Sequence, residues 1–89
     1  MRIRKYYDIR EIAGVTVLVP SSVARKANVN IVSINATGLW LLKTLEEREF
    51  TTDEAVELMC REYGIDRDAA LGDVDTLLGV LRQCEYLDE

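Results

Sequence analysis

The sequence predicts an α+β fold, winged-helix-like, with a three-stranded antiparallel sheet followed by a three-helix bundle in the order βββααα. Three observations predict it. Over Val29–Ile34 the side chains alternate with a period of two, and apolar residues recur with a helical period from Ala36 onward. The change falls on a single residue, Asn35, whose side-chain oxygen suits the N-cap of a helix that begins directly after a strand. Further capping residues at Thr51 and Asp66 then divide the second part of the chain into three helices. With 89 residues, the chain is long enough for one core without staples and is read as a single domain over 1–89.

The first strand is expected over about 5–12, where Tyr6 to Ile12 is rich in aromatic and branched residues. Ala13-Gly14 is a tight turn into a second strand over 15–19, in which Val15, Val17 and Val19 share a face. Pro20-Ser21-Ser22 ends it, because proline donates nothing to a ladder. A third strand follows over 29–34, with Val32 and Ile34 on one side and Ile31 and Ser33 on the other. Short connections make the three an antiparallel meander, which leaves the third strand at an edge.

The first helix is expected over 36–47, with Leu39, Trp40, Leu42 and Leu45 on a stripe that Leu41 widens. The second spans 52–63: Thr51 and Glu54 fit a capping box, Val56, Met59, Cys60 and Tyr63 form the apolar face, and Gly64 supplies the left-handed stop. The third spans 67–84 behind an Asp66 cap. Leu71, Val74, Leu78 and Leu81 make a sufficient core stripe, and Leu77, Val80 and Cys84 extend the apolar arc well beyond it. That surplus has two readings. Either the helix packs on both the sheet and another helix, which periodicity alone favours, or part of the arc lines an open groove.

Charge and composition exclude several functions. Histidine is absent, so the chain has no imidazole base, no Ser-His pair and no His-ligated metal. Cys60 and Cys84 show no zinc-ribbon spacing and read as reduced, core-facing thiols, although the sequence leaves a bridge between them open. The glycines are isolated, so no phosphate loop is formed. No catalytic, metal or cofactor site is expected. No apolar run reaches membrane-spanning length, and Met1–Lys5 is not the start of a signal peptide, so a cytoplasmic location is expected. Residues 1–34 carry six Lys/Arg against two Asp/Glu, and residues 35–89 carry five against fourteen. The helix-turn-helix order raises winged-helix DNA binding or a transcription-related role as an alternative, but Asp66–Glu85 holds two arginines against five acids and would repel a phosphate lattice.

Several segments together resemble a known family. They are Ile-Val-Ser-Ile-Asn-Ala-Thr-Gly-Leu-Trp (31–40), Phe-Thr-Thr-Asp-Glu-Ala-Val (50–56), Tyr-Gly-Ile-Asp (63–66), and Asp73-Val74 with Leu78 and Leu81. Arg10–Gly14 and Val17–Pro20 belong to the same pattern. The sequence resembles the PqqD-like family, peptide-recognition modules named after the pyrroloquinoline quinone biosynthesis chaperone. The resemblance implies a non-catalytic, cofactor-free module that binds the leader segment of a ribosomally made precursor peptide by strand addition. It also implies presentation to a modifying enzyme such as a radical SAM maturase, with no nucleic-acid or membrane partner. The implied peptide-binding residues are Val29, Asn30, Ile31, Val32 and Ser33 on the edge strand, and Asp73, Leu77, Val80 and Cys84 on the third helix. A pure interaction module, or a homodimer through the same edge, is a further alternative. The sequence departs from the family pattern at Gln83-Cys84-Glu85, where a small residue or glycine is common before the last apolar pair.

Overall fold

A computed structural model describes residues 1–21 and 31–89. The chain runs β1 (Arg2–Ile3), β2 (Tyr7–Ile12), β3 (Val15–Pro20), β4 (Val32–Ile34), α1 (Ala36–Leu45), α2 (Thr52–Tyr63), α3 (Arg67–Gln83) and β5 (Leu87–Asp88). Strands β2, β3 and β4 form the expected antiparallel meander in that order, with β4 at an edge. The expected first strand starts later than predicted, at Tyr7. Of the expected third strand, Val29 and Asn30 lie outside the described residues, Ile31 precedes the ladder, and Val32–Ile34 is paired. The first helix ends at Leu45 rather than 47, and the third at Gln83 rather than 84.

Local chemistry accounts for the joints. Ala13 and Gly14 both take positive φ, at 52° and 79°, the backbone of a two-residue turn whose twist matches the strands it joins. Asn35 caps α1 by accepting from the Gly38 amide. A Cβ on Gly38 would lie 3.0 Å from that capping oxygen, which explains the glycine. The Thr51/Glu54 capping box is complete in both directions, and Gly64 closes α2 in the left-handed conformation. At the end of α3 the Glu85 amide reaches the Arg82 carbonyl and the Tyr86 amide the Leu81 carbonyl, a Schellman turn. Glu85 occupies its left-handed position, φ 61°, where glycine is usual.

The sequence did not predict β1 and β5. They pair antiparallel, Arg2 with Asp88 and Ile3 with Leu87, and the Arg4 amide adds a bond to the Tyr86 carbonyl. The core lies between the sheet and the helices. Leu18, Leu42, Leu45, Val56, Val74 and Leu81 are fully buried there, with Phe50 and Tyr86 filling its flank. Leu18 is the residue of β3 in the core cluster; Val15, Val17 and Val19 share the opposite face, on which Val15 is exposed and Val17 is buried. Leu71 is a correction to the expected stripe: it is 41% exposed, and Ala70 takes the buried place at that level of α3. Both cysteines are free thiols, Cys84 buried and Cys60 half-buried. No helix is long and apolar enough to cross a membrane among the described residues.

Candidate functional site

The site begins with the free edge of β4. Which of its backbone groups face outward follows from register. In the two-residue hairpin, Ile12 and Val15 form a hydrogen-bonded pair, and bonded and non-bonded pairs alternate from there. Val15, Val17 and Val19 therefore direct their N–H and C=O groups to β2. The Ser21 amide bonds the Tyr6 carbonyl in the same phase, and Pro20, which has no N–H, falls on a non-bonded position. Thr16 and Leu18 turn the other way, to Ile34 and Val32 of β4. Ser33, opposite Val17, then holds its amide and carbonyl away from the sheet. Ile31, two residues earlier, is in the same phase. Among the described residues no strand pairs with this outer edge.

Beside that edge lies a pocket of about 230 Å³, between β4, the first turn of α1 and α3. Its apolar wall is Ile34, Leu41, Met59, Leu77 and Val80, of which Leu41, Met59 and Leu77 are buried. Ser33, Asn35, Thr37 and Gly38 line it on one side, and Asp73 and Thr76 on the other. The helical surplus read from the sequence thus divides. Val80 and Asp73 face the pocket, Leu77 serves both pocket and core, and Cys84 is buried, 4% exposed, and does not line the pocket.

Of the nine residues expected to bind, the fold brings Ser33, Asp73, Leu77 and Val80 together around this pocket. Ile31 is exposed along the edge, while the side chain of Val32 packs toward the core. Val29 and Asn30 lie outside the described residues. Sequence reasoning missed Met59 of α2 and Thr37, Gly38 and Leu41 of α1. The Asn-x-Thr-Gly cap that starts α1 was the available signal, because a cap immediately after an edge strand must adjoin that edge. Burial pushes the Cys84 thiol pKa up, so the thiol stays protonated and inert at neutral pH. Burial and a hydrogen bond to Glu46 likewise push the Tyr7 hydroxyl far above its ordinary value.

Comparison with known proteins points the same way. No curated protein matches the sequence. The solved structure of TbiB1 in complex with the TbiA(beta) leader peptide superposes with a TM-score of 0.68 at 25% identity, covering 99% of this chain and 95% of that one. The family described as Coenzyme PQQ synthesis protein D (PqqD) matches residues 17–87, from the middle of β3 through α3 to β5. With β4, all three helices and most of its length inside that match, the chain belongs to the PqqD family.

Proposed function

We propose that this protein is a non-catalytic recognition module that binds the leader segment of a ribosomally made precursor peptide and presents it to a separate modifying enzyme, such as a radical SAM maturase. The leader adds as a strand to β4, so that main-chain bonds supply affinity with little regard to sequence and the adjoining pocket chooses side chains. The observation that carries this reading is the outward amide and carbonyl of Ser33 beside a pocket walled by α3. The likeness to TbiB1, whose structure holds a leader peptide, supports it. Ile31, Ser33, Asp73, Leu77 and Val80 form the working surface. Val32 and Cys84 support it from the core side.

A proline scan tests this. At Ser33 proline removes an outward amide and leaves the internal ladder intact; at Val32 it removes the bond to Leu18. Ser33→Pro should fold by circular dichroism and lose binding in a titration with labelled leader peptides, whereas Val32→Pro should be destabilised. A folded Ser33→Pro that binds normally places the peptide elsewhere.

A further inference from the structure

The pocket is not a plain apolar slot. Several of its polar atoms are already committed. The Asn35 side-chain oxygen accepts from the Gly38 amide and the Thr37 hydroxyl, and the Thr76 hydroxyl donates to the Gly72 carbonyl. Asp73 differs. It is the one acidic or basic side chain lining the pocket among the described residues, and its carboxylate takes part in no hydrogen bond or ion pair among them. The other α3 charges that could compete are engaged elsewhere, Arg67 with Asp53 and Arg82 with Glu89.

Register decides which side chain of an added strand reaches this carboxylate. Residues directly opposite one another in paired strands project to the same face. The residue opposite Ser33 projects to the outer face, and its neighbours, opposite Val32 and Ile34, project to the face that carries α3. Ile34 itself lines the pocket, so the residue across from Ile34 enters it. That residue meets Leu41, Leu77 and Val80 along its length and a carboxylate at one side. A long aliphatic stem with a cationic head suits both, because such side chains bury their methylenes and keep the charge where it can be paired.

Resting on the leader-binding reading above, we propose that the pocket selects a lysine or arginine in the leader and that Asp73 determines this specificity. The stem lies on the apolar wall, and the head forms a charge-assisted hydrogen bond with the Asp73 carboxylate.

Selection from a randomised peptide display library tests the assignment, run in parallel on the wild type and on Asp73→Asn and Asp73→Lys, each first checked for folding. Asp73 is exposed, so neither change disturbs the core. The wild type should enrich Lys or Arg at one position, with an apolar residue two places away. Asp73→Asn should lose that enrichment, and Asp73→Lys should replace it with Asp or Glu. For a lysine-bearing peptide selected on the wild type, Asp73→Asn should weaken binding roughly tenfold to a hundredfold, the range for a charged hydrogen bond. That gap should narrow at high salt. Absent basic enrichment on the wild type, or the same enrichment on Asp73→Asn, overturns the assignment. Ser33→Pro separates this from the parent reading. If the selected peptides bind Ser33→Pro undiminished, strand addition itself fails and the assignment with it. If they lose binding there yet show no basic preference, only the role of Asp73 fails.

Discussion

Val80 and Leu81 are neighbours on α3 with opposite surroundings, and truncating each to alanine should separate pocket from core. Leu81 is fully buried among the helices and the sheet. Leu81→Ala removes its transfer free energy and leaves a cavity, together about 2–5 kcal/mol. Stability of roughly 0.05–0.15 kcal/mol per residue makes that a large fraction of the total for a chain of 89 residues. Val80 is half-buried against an open pocket. Val80→Ala removes two carbons at about 0.8 kcal/mol each when wholly buried, so roughly half of that sum is lost here. No closed void forms, so the cavity contribution is absent. The expected cost is about 1 kcal/mol, or a Tm lower by roughly 4–8 °C, against roughly 8–40 °C for Leu81→Ala. Urea titration measures both, provided the slope is unchanged between variants. Val80→Ala should also weaken leader binding in a titration of the folded protein. Equal costs for the two variants would mean that the arc of α3 is core throughout and that the pocket is closed in solution. Leu77→Ala is the wrong probe, because Leu77 is only 3% exposed and its loss would confound folding with binding.

Ala13→Asn and Glu85→Gly each place a residue suited to positive φ where the backbone already has it, and each should raise the unfolding free energy measured by urea titration by up to about 1 kcal/mol. Alkaline pH should destabilise the domain through Tyr7. Its folded-state pKa is raised, so its contribution is complete below the ordinary tyrosine value of about 10 and is lost as pH rises above it. Tyr7→Phe should flatten the stability profile above that pH, and an unchanged profile would remove Tyr7 as the cause. Duplex DNA should bind no better than roughly 10⁻⁴ M at physiological salt. A salt-sensitive nanomolar complex with a defined duplex, measured by fluorescence anisotropy, would overturn the peptide reading.

Much of the fold was legible because its signals are local. Asn35, the Thr51/Glu54 pair, Gly64 and the Ala13-Gly14 turn each announce a boundary through the chemistry of two to four neighbouring residues, and the structure uses all of them. The alternation of Val32 and Ile34 against Ile31 and Ser33 was readable for the same reason. β1 and β5 were not readable. Each has two residues, too few for periodicity, and each exists only because the other lies at the far end of the chain. Leu71 was misplaced because the arc of α3 is wide enough to be centred in more than one way, and in the fold Ala70 takes the buried place. The candidate site was half legible. The edge and the α3 wall follow from single-element patterns, whereas Met59 and Leu41 join the pocket only when three elements converge.

The pairing of β1 with β5 bears on how the molecule responds to a pull. Arg2 lies across from Asp88 and Ile3 across from Leu87, so the two ends leave the clasp side by side. Tension applied between them loads the Met1–Phe50 bonds at the N-terminal end and then the cross-strand bonds of the clasp one after another, the Arg2–Asp88 pairing before the Arg4–Tyr86 bond, instead of all together. The clasp therefore peels as a zipper does, at low force, while the β2-β3-β4 meander that carries the peptide edge is not the first part to yield. The same adjacency lets a host protein accept the module inside one of its surface loops, because the chain enters and departs at nearly one point and the host need not stretch to span it.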